Sequence, residues 1–389
     1  MMKKSKKPLY IIFSTAILIV ACMILLSLDK TISIFSQEKS TAPVVVQQPA
    51  PNKPKFVHGV HLTAWSAGSK KFRKKFQKYI DETTLNTVVI AVKEANGEVY
   101  IPGVKQAEEF GAYVNAMPDI KNYIEKLKSQ KIYTVARIVV FKDTIAAKKM
   151  PEWGVKNPEG GLWEDKKGLS WLDPFNKANW AYTFEIAEQC ANLGFEEIQF
   201  DYIRFPSDGI IKDCRYSQPH SSGTAVQCIV DFIKEANLRL KPKYSLYISV
   251  DVFGLTTSAD RDMGIGQRFE AMAQEADFIC PMVYPSHYPK ESYNIAEPNS
   301  QPYKTVYTGL RYASKRMEGN VSKIRPYLQD FSLGYKYNSE EVLAQMQACY
   351  DNDIYEWLLW NPASKYNFQA LKSTEVINKK NTTVDISTH

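Results

Sequence analysis

Short apolar runs rich in Val, Ile, Phe and Tyr recur along most of this chain and alternate with longer amphipathic stretches. Such runs are typical of strands that are buried on both faces of a parallel sheet. The strands predicted in this way are 58–65, 86–94, 134–141, 197–206, 245–254, 277–285, 323–331 and 355–362. Eight strands of this kind suffice to close a barrel.

The stretches between these strands have helical periodicity, which is clearest in 117–130, 180–194 and 225–240. In the first, Ile120, Ile124 and Leu127 share one face at helical spacing. A strand followed by a helix, about eight times over, predicts an α/β fold of the (β/α)₈ barrel type. An open doubly wound sheet is the alternative, but no Gly-x-Gly-x-x-Gly follows an early strand.

The N-terminal segment has a different pattern. Residues 9–28 contain no charge, and about 20 apolar residues are enough for a helix to cross a membrane. Lysines in the tail 1–8 favour its retention in the cytoplasm, so we expect a single-pass protein of the cell membrane with its domain outside the cytoplasm. The Pro-rich segment 29–55 is predicted to be a flexible linker. A cleaved signal peptide is the alternative, and the length of the apolar run argues against it.

The barrel domain is predicted to occupy 56–370 and to be followed by a polar tail, 371–389. The formal net charge of +7 arises almost entirely from the N-terminal segment. Beyond residue 56 lie 41 of the 49 basic residues and 40 of the 42 acidic ones. The domain is therefore nearly neutral and has no basic stripe that could bind phosphates, so nucleic acid is not an expected partner.

The cysteines and histidines predict no cofactor. Cys214 and Cys228 bracket a polar stretch in an exported domain, where a disulfide and two free thiols are equally compatible with the sequence. No Cys-x-x-Cys pair is present, so a thiolate zinc site is not expected. His58 and His61 lie too close together on one strand for shared metal ligation to be favoured.

Polar side chains occur near the ends of the predicted strands, where a (β/α)₈ barrel places its active site. The carboxylates are Asp201, Asp251 and Asp330. The candidates for substrate binding are Lys93, Glu94, Arg137, Arg204, Tyr284, His287, Trp360 and Asn361. Charged residues are rarely buried unless they are paired or used, so this pattern predicts a carboxylate-lined, aromatic-walled cleft.

Structural roles for the same residues remain open alternatives. Arg137 and Arg204 could be ion-pair partners of Asp201 or Asp251 in the barrel. Asp251 could also cap the helix that follows it. The aromatic candidates could belong to the apolar packing at the barrel mouth.

Two or three carboxylates in an aromatic-walled pocket are what the cleavage of a glycosidic bond requires. The sequence has no Gly-x-Ser-x-Gly elbow and no phosphate-binding glycine loop, which argues against serine hydrolase and nucleotide chemistry. A barrel that binds glycan or wall polymer without cleaving it is the alternative. A metal-dependent deacetylase or phosphodiesterase would need a His/Asp cluster that the sequence does not offer.

Six blocks, in order and at plausible spacing, resemble a bacterial family of TIM barrels, the putative glycoside hydrolase domain of unknown function. The blocks are NTVVIAVKEANGEV, EIQFDYIRFPSDG, DVFGL, DFICPMVYPSHY, RPYLQDF and LLWNP. The resemblance covers about residues 57–368 and is specific because no single block decides it. One block departs from the family, since Glu94 follows Val92-Lys93 where an Asp is usual.

The resemblance implies a membrane-associated or secreted carbohydrate-active barrel. By similarity to glycosidase barrels it implies that Asp201 is the principal catalytic carboxylate, and that Asp251 and Asp330 serve in acid/base chemistry and transition-state support. Together with the chain pattern, it leads to one hypothesis. The protein is a membrane-anchored extracytoplasmic glycoside hydrolase that acts on a cell-surface or environmental polysaccharide by carboxylate acid/base chemistry.

Overall fold

The computed structural model describes residues 51–372, in which eight parallel strands close into a barrel in chain order. The strands are β1 (His58–Leu62), β2 (Thr87–Lys93), β3 (Tyr133–Val139), β4 (Glu197–Asp201), β5 (Tyr247–Phe253), β6 (Phe278–Met282), β7 (Tyr327–Gln329) and β8 (Trp357–Trp360). Pairing of β1 with β8 completes the circle. The predicted (β/α)₈ architecture is therefore confirmed, with all eight strands in the predicted places.

The helices surround this barrel. Those of residues 51–372 are α1 (Ala64–Gly68), α2 (Lys70–Glu82), α3 (Lys105–Phe110), α4 (Ile120–Ser129), α5 (Thr144–Lys149), α6 (Ala178–Asn192), α7 (Ser222–Leu240), α8 (Phe269–Glu275), α9 (Pro302–Arg316) and α10 (Ser339–Tyr350). Helix α4 buries Ile120, Ile124 and Leu127, the face that the periodicity predicts. Apolar faces of this kind dock the helices on the outside of the strands.

Alternation along the strands divides the side chains between two cores. In β2, Val88, Ile90 and Val92 belong to the large core shared with the helices. Val89 instead packs in a smaller core with Tyr133 of β3 and residues of β6, β7 and β8. Because successive side chains of a strand point to opposite faces, this second core is the barrel interior.

Polar caps fix where helices begin. The Ser221 side chain accepts a hydrogen bond from the Thr224 N–H, and the Thr224 hydroxyl accepts one from the Ser221 N–H, which forms a capping box at the start of α7. At the start of α5, Asp143 accepts a hydrogen bond from the Ala146 N–H at 2.8 Å. These helix starts follow the carboxyl ends of strands, so they lie on the side of the barrel that carries the loops.

Residues 51–57 close the opposite, N-terminal end of the barrel. Val57 is part of the interior core, and its carbonyl oxygen accepts a hydrogen bond from the Trp357 N–H at 2.9 Å. Lys53 forms an ion pair with Glu356 and lies 5.2 Å from the centre of the Phe278 ring. We call this closed end the floor and the loop-bearing end the mouth.

The strands are shorter than predicted at the mouth. Strand β4 stops at Asp201 because Tyr202 adopts a left-handed backbone conformation, with φ of +50°. Arg204, expected on the strand, therefore lies in the loop. Tyr284 and His287 likewise follow β6, where Pro285–His287 forms a short 3₁₀ turn.

Cys214 and Cys228 are both free and buried, so the structure contains no disulfide between them. Within residues 51–372, no helix combines the length and the apolar character needed to cross a membrane. The predicted cytoplasmic tail, the membrane span at 9–28, most of the linker and nearly all of the C-terminal tail lie outside the described residues.

Candidate active site

A cavity of about 480 Å³ opens at the mouth of the barrel. It brings together seven of the residues that the sequence singles out: Arg137, Asp201, Arg204, Asp251, Tyr284, His287 and Trp360. The rest of its wall is Tyr202, Phe253, Gly254, Leu255, Met263, Met282, Tyr288 and Tyr327. The wall is thus mainly aromatic and apolar around two carboxylates and two guanidinium groups.

Asp201, at the end of β4, is held in place by hydrogen bonds. Its Oδ2 accepts from Arg137 Nε at 3.0 Å and from Arg137 Nη2 at 2.5 Å, and its Oδ1 accepts from the Tyr202 N–H at 2.6 Å. Arg137 also contacts Glu94, with Nη1 3.3 Å from Oε2. Burial lowers the pKa of Arg137, but Asp201 and Glu94 outweigh it and raise the pKa well above its usual value. The Asp201 carboxylate therefore has a fixed orientation beside a permanent positive charge.

Asp251, on the neighbouring strand β5, has a different environment. Its side chain is 1% exposed, and its Oδ1 has no hydrogen-bond partner among the described residues. Burial, followed by the negative charge of Asp201, raises the pKa of Asp251 well above its usual range. Arg137 opposes this shift without reversing it. Asp251 thus tends to hold its proton next to a carboxylate that is paired with arginine.

Aromatic rings form the sides of the cavity. The Arg137 guanidinium carbon lies 5.0 Å from the centre of the Trp360 ring, which also packs against His61 at 4.0 Å and Tyr327 at 6.1 Å. Tyr284 and His287 meet edge to face at 5.4 Å. Burial lowers the pKa of His287, which favours the neutral ring. Flat apolar rings at these positions suit the faces of sugar rings.

Four of the predicted residues do not line this cavity. Asp330 follows β7, and its Oδ2 accepts a hydrogen bond from the Asn367 N–H at 2.7 Å; burial raises its pKa to about 6. Lys93 forms a fully buried ion pair with Asp143 at 2.8 Å. Asn361 accepts the Ala363 N–H in a turn. Glu94 is connected to the cavity through its ion pair with Arg137. The roles expected for these four residues stay predictions.

Sequence reasoning missed a polar column inside the barrel below the cavity. Arg325 Nη1 donates to both oxygens of Glu197 at 2.8 and 2.9 Å, and its Nε donates to Glu356 at 2.8 Å. A signal for it exists in β4, where Glu197, Gln199 and Asp201 alternate with apolar residues. Polar residues at every second position of a barrel strand point inward as one set.

The apolar wall was missed as well. Residues such as Phe253, Met263 and Tyr288 have no feature in the sequence that separates them from other buried or loop residues. Their place on the wall follows from the course of the loops after β5 and β6. Within residues 51–372, no group of three or more His, Cys, Asp or Glu side chains is arranged to hold a metal ion.

The chain is similar to a known family of domains and to a protein of known structure. The model of a family described as "putative glycosyl hydrolase domain" matches residues 59–366. No curated protein matches the chain. A hypothetical protein from Ruminiclostridium thermocellum is 32% identical over 50% of this chain and 97% of its own, with a TM-score of 0.45.

Two solved structures share the fold at low identity. The glycoside hydrolase domain of PgaB (BpsB) from Bordetella bronchiseptica is 12% identical, with a TM-score of 0.59 over 81% of this chain and 95% of that one. The α-L-fucosidase isoenzyme 2 from Paenibacillus thiaminolyticus is 14% identical, with a TM-score of 0.55 over 84% and 50%. Because the family match spans most of its length, the chain belongs to the family of putative glycosyl hydrolase domains.

Proposed function

We propose that the barrel hydrolyses glycosidic bonds of a cell-surface or environmental polysaccharide, with Asp251 as the general acid and Asp201 as the charged carboxylate. The observation that carries the proposal is the contrast between these two neighbours. Asp201 is hydrogen-bonded to a guanidinium, whereas Asp251 is desolvated and has a raised pKa. A desolvated carboxyl with a raised pKa beside a carboxylate held by a guanidinium is the pair that this chemistry needs.

The different surroundings of Asp251 and Asp201 suit the two carboxyl groups to different roles. A protonated Asp251 can donate its proton to the glycosidic oxygen as the bond to the leaving group breaks. The negative charge of Asp201 can then stabilise the positive charge that develops on the sugar, or attack it directly. Arg137 fixes the Asp201 carboxylate for either role. The aromatic wall keeps bulk water from the proton on Asp251.

The test uses the full-length protein and a panel of wall and capsular polysaccharides, with released reducing ends and binding measured in parallel. We expect wild type to release ends from at least one polymer and Asp201→Asn to lose about 10³-fold or more of that activity. Asp231→Asn is the matched control, because Asp231 lies on α7, does not line the cavity, and accepts a solvent-exposed hydrogen bond from Gln227.

Equal binding by wild type and Asp201→Asn, with no polymer cleaved by either, would overturn hydrolysis. That result would instead support the barrel that binds glycan without cleaving it. Loss of activity in Asp231→Asn as well would mean that the effect of Asp201→Asn is not specific to the cavity.

We also propose that the domain is held at the outer face of the cell membrane by residues 9–28. The support is the uncharged run of about 20 residues and the lysines that precede it. Full-length protein should sediment with membranes and be digested by protease added to intact spheroplasts. Deletion of residues 1–28 should release the protein from membranes. A full-length protein that stays in the soluble fraction would refute the anchor.

A further inference from the structure

Arg204 is a buried cation on the cavity wall that lacks a carboxylate partner. The residue is 5% exposed and lines the cavity directly. Its Nη1 donates to the Phe205 carbonyl oxygen and to the Ser207 hydroxyl, both at 3.0 Å. Among residues 51–372, no Asp or Glu oxygen lies within ion-pairing distance of the guanidinium, and none of their atoms accepts a hydrogen bond from its Nε or Nη2.

The other cations near this wall are neutralised. Arg137 is paired with Asp201 and Glu94. Lys142, behind the wall, forms an ion pair with Asp165 at 2.5 Å. Arg204 is therefore the guanidinium of the cavity that has no ion-pair partner within the described part of the chain, although Asp201, Asp208 and Asp165 act on it at longer range.

Aromatic rings hold the Arg204 side chain in place. Its guanidinium carbon lies 4.9 Å from the centre of the Trp171 ring, 4.8 Å from that of Tyr202 and 4.5 Å from that of Phe253. Ring faces compensate a buried cation only in part. Burial lowers the pKa of Arg204 by more than the nearby Tyr202, Asp201, Asp208 and Asp165 raise it. An anion at this position would relieve the cost of that burial.

We propose that Arg204 receives a carboxylate of the substrate, so that the cavity selects a glycan containing an acidic sugar. The inference rests on the proposed function and specifies its substrate class. A guanidinium presents Nε and Nη2 along one edge, at a spacing that matches the two oxygens of a carboxylate. Arg137 uses the same two nitrogens toward Asp201, where both donate to Oδ2. Because Arg204 shares the cavity with Asp201, the acidic sugar adjoins the bond to be cleaved.

The first experiment varies the ligand and leaves the protein intact. Uronic acid polysaccharides are compared with the same polymers after carboxyl reduction, which makes each uronate a neutral sugar and keeps every linkage. Glucuronate, galacturonate and N-acetylmuramate are titrated beside glucose, galactose and N-acetylglucosamine. We expect full-length wild type to favour the acidic member of at least one pair by about tenfold or more, and this preference to shrink at high salt.

Equal binding and cleavage of the acidic and the carboxyl-reduced polymers, or no binding of any acidic sugar, would overturn the inference. Dextran sulfate and dextran form a further arm. A larger preference for the sulfated polymer than for any uronate would overturn the assignment of a carboxylate, because the site would then select another anion.

The second experiment varies Arg204. Arg204→Met removes the charge and keeps the stem, so we expect the preference for the acidic ligand to fall to about one. Arg204→Lys keeps the charge without the two-nitrogen edge and should retain part of the preference. Arg239→Met, a substitution on the partly exposed face of α7, should change nothing. A preference that survives Arg204→Met would contradict the inference, and if that variant is unfolded by circular dichroism, the lysine variant and the reduced polymers decide.

These outcomes separate the two proposals. If Asp201-dependent cleavage is present but carboxyl reduction has no effect, hydrolysis stands and acidic-sugar selection fails. If acidic glycans bind through Arg204 but no polymer is cleaved, selection stands and hydrolysis fails.

Discussion

The floor and the mouth of the barrel interior contain the same kinds of charged residue, but the mouth leaves two of them, Asp251 and Arg204, without an ion-pair partner among the described residues. At the floor, Glu197 accepts hydrogen bonds at both oxygens from Arg325, and further bonds from Ser249 at 2.6 Å and Tyr133 at 2.9 Å. At the mouth, Asp251 has an unpartnered oxygen and Arg204 has no ion-pair partner among the described residues. Arg325 Nη2 has no hydrogen-bond partner among the described residues, yet its charge is paired with Glu197 and Glu356. Charges that are paired with one another stabilise a fold, whereas charged groups without an ion-pair partner beside a cavity are available to a ligand.

The difference also appears in the proton affinities. Burial lowers the pKa of Arg325, but Glu197 and Glu356 outweigh it and raise the pKa above its usual value. For Asp251, burial and a neighbouring negative charge act in the same direction. The floor therefore stabilises the charged form of Arg325, and the mouth destabilises the charged form of Asp251. Substitutions at the mouth should accordingly affect activity, and substitutions at the floor should affect stability.

Among the variants that test this comparison, the largest effect is expected for Asp251→Asn at the mouth. The amide is close in size to the acid but cannot donate the proton to the leaving group, so kcat/KM should fall by about 10²- to 10⁴-fold. Stability should be unchanged or raised, because a desolvated carboxyl is removed. Initial rates and thermal unfolding measure the two properties. A loss of less than about fivefold would remove Asp251 from the proposed chemistry.

At the floor we expect Arg325→Met to lower the free energy of unfolding by about 3–5 kcal/mol, because it leaves Glu197 buried without a counter-charge. Urea unfolding at pH 7 measures the change. The double variant Arg325→Met/Glu197→Gln should regain part of the loss, whereas Arg239→Met should stay within about 0.5 kcal/mol of wild type. A cost below about 1 kcal/mol would show that the floor is not the stabilising layer.

Asp330, beside the mouth but off the cavity wall, should affect the pH dependence of stability. Its folded pKa of about 6 lies above its usual value, so the folded state binds the proton more tightly than the unfolded state does. The contribution of this proton to the free energy of unfolding is therefore complete below about pH 4. It is lost as the pH rises from about 4 through 6, by up to about 3 kcal/mol. In Asp330→Asn that decline should be absent from urea unfolding curves at pH 4, 5, 6 and 7.

Activity of the same variant tests the catalytic role that the sequence suggests for Asp330. Since its carboxyl caps the Asn367 N–H instead of lining the cavity, we expect a smaller loss than in Asp251→Asn. A loss as large as that of Asp251→Asn would bring Asp330 into the chemistry. If the free energy of unfolding changes with pH in the same way in wild type and in Asp330→Asn, that result would contradict the raised pKa of Asp330.

The smallest effect is expected for Lys53→Ala, at the outer edge of the floor. The ion pair with Glu356 is partly exposed, with side chains 16% and 11% accessible. Such a pair contributes about 1 kcal/mol or less. Urea unfolding should detect a small shift that decreases as salt is added. A loss comparable to that of Arg325→Met would mean that the partly exposed Lys53–Glu356 pair stabilises the fold as much as the buried Arg325–Glu197 pair.

The sequence predicts the barrel well because local pattern determines it. Each strand is a separate apolar run, and each carries its own turn and helix signals. The sequence also predicts which strands end in acids, and so places Asp201 and Asp251 together. What it does not contain is distance across the barrel. Glu197 and Arg325 are 128 residues apart in the chain, and no local pattern indicates that they meet.

Loop geometry limits the remaining predictions. The turn at Tyr202 moves Arg204 off β4 and into the aromatic surroundings of Trp171 and Phe253. An aromatic residue with positive φ is not a position that propensity would predict. Asp330 illustrates the opposite case, because it follows a strand as expected but turns toward the Asn367 N–H. Position at a strand end is therefore insufficient to place a side chain in the cavity.

The closure of the floor by residues 51–57 has a practical consequence for handling the protein. Val57 and Lys53 join the barrel at the end away from the cavity. A tag or solid support coupled directly at residue 51 would therefore be attached at the end of the barrel away from its opening. Beads or sensor chips loaded in that orientation should present the cavity to large, insoluble polymers.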